Sequence, residues 1–135
     1  MTTHAFHLQI ISPAKVVMDT HVPSAEIPGL EGDFGVLPGH AAFFSMLRPG
    51  VIDVKMSDGI RRRFFAASGY ADVTPEKCTV ISDHVQDIAD ISIAEAEEAV
   101  AAARSAVNEA DNDNERASAQ RLLASAEVLL SAVRA

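Results

Sequence analysis

The sequence predicts a two-part fold: a β-sandwich or barrel of short antiparallel strands, followed by an antiparallel two-helix hairpin. Three observations carry that reading. All seven Gly lie between Gly29 and Gly69, all six Pro between Pro13 and Pro75, and all seven Phe and Tyr between Phe6 and Tyr70. After Asp90 there is no Gly, Pro or aromatic residue, and 14 of the last 45 residues are Ala. Turn formers and aromatics suit short strands, whereas Ala, Glu and Leu suit helices. The apolar pattern changes at the same place, from short punctuated runs to a three-and-four repeat. The expected boundaries are 1–87 for the β domain and 91–135 for the helical domain.

In the first part, each apolar run ends at turn residues, with the spacing of an all-β sandwich or barrel. Phe6–Ile11 precedes Ser12-Pro13, 16–18 precedes Asp19-Thr20, 22–27 precedes Pro28-Gly29, and 42–47 precedes Arg48-Pro49-Gly50. The run 51–56 ends at Ser57-Asp58-Gly59, and Asp-Gly between strand-like runs is a strong hairpin signal. It alternates only in part, so one wet face is expected there. The run 63–67 precedes Ser68-Gly69, and 70–74 and 77–82 flank Pro75-Glu76 as a second hairpin. No helix-length amphipathic segment intervenes, which argues against a parallel βαβ sheet.

The second part opens with Ser92-Ile93-Ala94-Glu95, a capping box in which hydroxyl and carboxylate each satisfy an orphan N–H. Glu95, Glu97 and Glu98 follow where the helix dipole favours negative charge. Ile93, Ala96, Val100, Ala103, Val107 and Ala110 then form a narrow seam. Asp111-Asn112-Asp113-Asn114 breaks the helix, since these side chains compete for local backbone groups. A second helix places Leu122, Ala126, Leu129 or Leu130, and Val133 on one face. Each helix is expected to run about 19–20 residues, making a hairpin. An Ala-rich seam allows close approach but buries little area, so the hairpin should be marginal alone.

Composition excludes several functions. Eleven Lys and Arg against nineteen Asp and Glu give a net charge of −8, which would repel a phosphate backbone and argues against nucleic-acid binding. One cysteine, Cys78, rules out an internal disulfide and a zinc–thiolate cluster. A reducing compartment follows more simply. No apolar run reaches the roughly 18–20 residues of a spanning helix, and Met1-Thr2-Thr3-His4 carries no basic leader region.

Candidate chemistry centres on the segment Gly29 to His40, with four glycines. It lacks the Lys-Ser/Thr of a phosphate loop and carries Glu31 and Asp33, which would repel phosphate. Two readings remain: a glycine-rich crossover between strands, or a binding edge presenting Asp33 and His40 to another protein. A hydrolase using His40 and Asp33 is a further alternative, but no serine sits in a G-x-S-x-G elbow. His4 and His7, three apart on a strand, would face opposite ways and read as solvated. Arg61-Arg62-Arg63 reads as a solvated hairpin end.

The run Gly32-Asp33-Phe34-Gly35-Val36-Leu37-Pro38-Gly39-His40-Ala41 resembles the G-[ED]-x-G-[VI]-x-P-G-H-A signature of the epsilon subunit family of F-type ATP synthases. Phe6-His7-Leu8-Gln9-Ile10-Ile11-Ser12-Pro13 is similar to the family's first strand, and Leu47-Arg48-Pro49-Gly50 to its L-x-P-G. Ala67-Ser68-Gly69-Tyr70-Ala71-Asp72-Val73 is similar to its S-G-G-x-x-x-V, with Tyr70 at the second glycine. Lys77-Cys78-Thr79-Val80-Ile81-Ser82-Asp83 resembles its V-T-V-L-A-D.

This resemblance implies a flattened sandwich of about ten short strands ahead of the helix hairpin. It also implies a non-catalytic rotor subunit of the central stalk. In the family the β domain grips the gamma subunit and rests on the polar loops of the c-subunit ring, with Asp33 and His40 at the positions that face those loops. Further contacts, to beta and alpha subunits, would run through the hairpin. The implied location is peripheral, on the cytoplasmic face of a bacterial inner membrane. The chain departs from the family's ATP-binding segment [IL]-D-x-x-R-A: Ser92 stands for the Asp and Glu95 for the Arg, so an Arg that would meet a phosphate is an acid. No cofactor is therefore expected, and Arg104 is left as the one candidate contact for nucleotide or regulation. Eight acids against four Arg over 91–135 also oppose insertion against an acidic surface. The runner-up function is a nucleotide-sensing module acting through the hairpin.

Overall fold

Alternation decides which side of each strand is buried. In β1 (Phe6–Ile11), Phe6, Leu8 and Ile10 are buried, while His7, Gln9 and Ile11 are only partly covered. The strands that follow are β2 (Val16–Val22), β3 (Ser24–Gly29), β4 (Gly32–Val36), β5 (Phe43–Met46), β6 (Gly50–Lys55), β7 (Arg61–Ala66), β8 (Tyr70–Val73), β9 (Lys77–Ile81) and β10 (Val85–Asp87), with the same period clear in β6, β8 and β9. The strands form two five-stranded sheets, ordered β2-β1-β9-β8-β5 and β10-β7-β6-β3-β4. Pairing is antiparallel throughout except between β1 and β9, which run parallel. The computed structural model describes residues 4–135, so the reading of the leader from Met1, Thr2 and Thr3 lies outside the described residues. The chain separates into two compact units, one ending at Asp87 and the other running Ile88–Ala135.

The sheets close over one apolar layer. Phe6, Leu8, Ile10 and Val80 come from the first sheet; Ile27, Ile52, Val54 and Phe64 come from the second. Burying a side chain of this size contributes about 1.5–3 kcal/mol, so the layer outweighs any single surface interaction. Cys78 lies in it, and burial first, then the Asp72 carboxylate, pushes its thiol up to about 12. A thiol this hard to ionise is a packing group rather than a nucleophile.

Three boundary readings are corrected. Asp19-Thr20 is not a turn, because β2 runs through it. Thr20 pairs across the ladder with Leu8, and the Asp19 carboxylate accepts from Gln9 Nε2 at 3.3 Å and meets His7 Nε2. Those two hydrogen bonds, from His7 and then Gln9, hold the Asp19 carboxyl below the usual carboxylate range. Pro23, which has no N–H to donate, is the residue that separates β2 from β3. Pro28-Gly29 is not the next turn either. Pro28 lies past Glu26, the last β3 residue paired with β6, so its missing N–H leaves no gap in that ladder. The turn falls at Leu30-Glu31, and the glycine-rich crossover contains a strand, β4. That strand and β10 left no apolar run in the sequence.

Two surface readings also change. His7 is not simply solvated: its ring stacks on His21 with centroids 5.1 Å apart, beside Asp19. His4 precedes β1, so the two histidines do not share a strand. The three arginines open β7 at its hairpin end, as read, but they are not simply solvated. Arg61 pairs with Asp53 at 2.9 Å, and Arg62 pairs with Asp87 at 2.9 Å while sitting 4.9 Å from the Phe64 ring centroid. This basic run is engaged within the chain.

In the second unit a 3₁₀ turn at Ile88–Asp90 leads into α1 (Ile93–Asn108) and α2 (Asp113–Arg134). The capping box is formed: Glu95 N–H donates to Ser92 Oγ at 3.0 Å, and Ser92 N–H donates to the Glu95 carboxylate at 3.0 Å. The Ser92 backbone N–H, then its hydroxyl, holds the Glu95 carboxyl below its ordinary value. The helices have 16 and 22 residues rather than equal lengths. Asn112 caps α2 by accepting the Glu115 N–H at 2.8 Å, so the helix starts inside the polar break. The buried seam is Ala96, Val100 and Ala103 against Ala119, Leu129 and Ala132. Ion pairs Arg134–Glu97 and Arg104–Glu127 fix the antiparallel register. In that register Ile93 overhangs the end of α2 and Leu122 is level with the end of α1, which leaves both exposed against expectation.

Gly69 has φ +118°, and a Cβ there would stand 2.0 Å from the Ile81 carbonyl oxygen. Gly69→Ala is expected to lower stability by about 2–3 kcal/mol or more, whereas Gly59→Ala, with φ +87° and open space, should cost about 1–2 kcal/mol. Urea unfolding midpoints check the order. For the hairpin, Ser92→Ala should cost about 1 kcal/mol. Because the folded-state pKa of Glu95 is depressed, its contribution is present above the ordinary carboxylate range and is lost as pH falls through the folded value. Thermal melts followed by helical circular dichroism between pH 7 and pH 3 should show the wild-type advantage over Glu95→Gln shrinking with acid.

Candidate partner-binding edge

The β3–β4 hairpin and the connection after β5 build one corner of the first unit. Pairing of Pro28 with Asp33 and of Gly29 with Gly32 closes the hairpin and sets Asp33 at the surface. Arg48 reaches it from the Arg48-Pro49-Gly50 connection. Its Nη1 donates to the Gly29 carbonyl at 2.7 Å, and its Nη2 pairs with Asp33 Oδ1. One guanidinium thus ties the strand end to the acid, a geometry its planar fork suits.

His40 is placed by the turn before it. Gly39 holds φ +84°, a region open to glycine, and its N–H donates to the Pro75 carbonyl at 2.8 Å. His40 N–H donates to the Leu37 carbonyl at 3.1 Å, and Nδ1–H donates to the Ala41 carbonyl at 2.6 Å. Its ring stands 6.4 Å from that of Phe43, which meets Phe34 edge-on at 5.0 Å. Asp33 and His40 therefore flank one aromatic pair. No hydrogen bond joins them among the described residues: Arg48 occupies the acid, and the backbone occupies Nδ1. As they stand, the two side chains are not joined as a hydrogen-bonded acid–base pair.

Between β4 and β5 lies an open groove of about 480 Å³, lined by Leu30, Asp33, Phe34, Phe43, Phe44 and Met46. Phe44 is 57% exposed and Met46 50%. Sequence reasoning placed this run in a strand but missed that the strand lies at a sheet edge, where its apolar side chains stay in water. Large exposed apolar patches mark interaction sites.

In the second unit Arg104 lies 3.7 Å from Glu127, and Arg134 lies 2.7 Å from Glu97. These four residues, with Val100 and Leu130, line a surface cavity of about 620 Å³. Both guanidiniums already face carboxylates, and Ser92 and Glu95 are committed to the helix cap. Among the described residues no group of three or more His, Cys, Asp or Glu is arranged to hold a metal ion.

The profile described as the β-sandwich domain of the ATP synthase delta/epsilon chain matches residues 5–88. The chain belongs to the ATP synthase epsilon chain family. It is 37% identical over 124 residues to the ATP synthase epsilon chain of Rhodospirillum rubrum, covering 92% of each chain. It is 35% identical over 125 residues to that of Paramagnetospirillum magneticum, covering 93% of this chain and 94% of the relative. A chain in the mitochondrial ATP synthase of Euglena gracilis has the same fold, with a TM-score of 0.85 at 20% identity over 97% of this chain and 82% of the other.

Within the epsilon chain family motif, the backbone accounts for the departure at Tyr70. Only the first glycine of that motif is demanded here, because only Gly69 has positive φ and a blocked Cβ direction. Tyr70 points away from the core, with its ring 5.3 Å from that of Phe44. No helix among the described residues is long and apolar enough to cross a membrane.

Arg48→Met should remove both anchors of the β3–β4 hairpin. A loss of about 1–2 kcal/mol is expected, with faster hydrogen exchange at Leu30 and its neighbours. Leu30 N–H donates to the Met46 carbonyl at 2.8 Å and reports directly on this corner.

Proposed function

We propose that this chain is the epsilon subunit of the central stalk of an F-type proton-translocating ATP synthase and carries no active site of its own. Family membership over nearly the whole chain supports the assembly. The observation that carries the mechanical role is the groove corner: exposed aromatics and apolar side chains beside Asp33 and His40, on a body built around a closed core. A part that passes torque must not yield under load, and a double sheet with one packed layer meets that demand.

In this reading the Asp33–His40 edge rests against polar loops of the c-subunit ring, and the β domain also grips the gamma subunit. Arg48 already neutralises Asp33, so the edge meets those loops as a compensated pair rather than a bare acid. Rearranging such pairs supplies register more than affinity. The hairpin, domain 91–135 in this assignment, would approach the alpha and beta subunits. Arg104 is the basic group best placed for a regulatory contact there, though Glu127 competes for it. The protein would sit peripherally at the cytoplasmic face of the bacterial inner membrane.

The nucleotide-sensing alternative is disfavoured by the carboxylates that face both arginines of the hairpin cavity. Calorimetric titration with ATP at millimolar concentration should give no saturable heat, and micromolar affinity would overturn that. Purification of tagged chain from membranes should recover alpha, beta and gamma subunits. Recovery of none of them would overturn the function.

A further inference from the structure

Sulfur is unevenly exposed in the first unit. The chain has four methionines and one cysteine. Met18 is buried in the apolar layer, and Met56 is half-buried and packed against it. Cys78 is buried in the same layer, where its raised thiol stays protonated at neutral pH. Oxidants attack the thiolate, not the thiol, so that sulfur is sheltered twice over. Met46, by contrast, is 50% exposed. Met1 lies outside the described residues. Among the described residues, then, Met46 carries the one sulfur well open to solvent.

Topology accounts for that exposure. β5 stands at the end of the first sheet, beside β8, so its residues lack a second neighbouring strand. Met46 lies opposite Tyr70 in this ladder, and Phe44, two residues back, projects to the same side. The rings of Phe44 and Tyr70 are 5.3 Å apart. The Met46 carbonyl accepts the Leu30 N–H at 2.8 Å and the Ser45 hydroxyl at 2.8 Å, which holds the backbone while the side chain lines the groove. A thioether has no proton to lose, so access governs its oxidation.

We propose that Met46 is a peroxide-responsive modification site that sets the polarity of the groove. The sulfur lone pair attacks one oxygen of hydrogen peroxide. The O–O bond breaks, an S–O bond forms, and the other oxygen leaves with both protons as water. Sulfur gives up two electrons, the peroxide takes them, and the side chain becomes a sulfoxide. Its oxygen is a strong acceptor in a groove where Leu30, Phe34, Phe43 and Phe44 offer no side-chain donor and the Ser45 hydroxyl is already committed. A partner covering the groove would have to strip water from that oxygen without replacing its hydrogen bonds. The side chain lies outside the core, so the fold itself should be unaffected. The effect on assembly rests on the stalk reading above; the site of oxidation does not.

Peptide mapping by mass spectrometry after treating the full chain with millimolar hydrogen peroxide tests the site. Met46 should gain one oxygen at least about tenfold faster than Met18, Met56 or Cys78, with the thermal midpoint unchanged. Methionine sulfoxide reductase with a thiol reductant should remove that oxygen. Equal rates at the four sulfurs, or unfolding on oxidation, overturn the proposal. Amide NMR shifts on oxidation should be confined to residues 30–34, 43–46 and 70, and shifts spread through the core would overturn the groove effect. Rebinding to ATP synthase membranes stripped of this chain tests the consequence. The sulfoxide form should rebind at least about tenfold more weakly than the untreated chain, and peroxide should leave the rebinding of Met46→Leu where it was before treatment. Equal rebinding of oxidised and untreated wild type, or a loss in peroxide-treated Met46→Leu, overturns the role of Met46 and leaves the stalk reading standing. Failure of the untreated wild type to rebind overturns the stalk reading instead, while the mapping and the NMR shifts still decide the site.

Discussion

The packing of two sheets over a single apolar layer governs the placement of everything else in the first unit. Because Phe6, Leu8, Ile10 and Val80 must point inward, Ile11 and Ile81 must point outward, and His7 with Gln9 falls on the face that receives Asp19. A slip of one residue would exchange those sets, which makes register costly to change. The exposed groups are therefore held by the core beneath them. Arg48, tying Gly29 to Asp33, adds a local anchor at a corner that the core alone does not reach.

The helical unit is held differently. Its seam is mostly alanine, so its stability leans on the caps at the helix ends, while the ion pairs mark the register. The box at Ser92 and the cap at Asn112 satisfy N–H groups that a short seam could not otherwise compensate. Exposed ion pairs of this kind contribute little each. The two units thus differ in what holds them: a full apolar layer in the first and a thin seam in the second.

Much of this was legible in the sequence because local rules agreed. β1 ends at Ser12-Pro13 as read, and the Asp58-Gly59 hairpin and the Ser92 box stand where their residues placed them. The misreadings share a cause. Asp19-Thr20 and Pro28-Gly29 have turn chemistry, but cross-strand partners absorb it. β4 and β10 are short and lack apolar runs, and only pairing with β3 and β7 makes them strands. At the candidate edge, Asp33 and His40 were legible from their motif. The Arg48 clamp was not, since the contact spans 15 positions in the chain.

Hydrogen exchange of the chain, free and in the assembled ATP synthase, tests the central claim most directly. A slab held at its groove corner predicts slowed exchange at residues 30–34 and 43–46, with little change along 57–63. Unchanged exchange across the groove in the assembled enzyme would contradict the account.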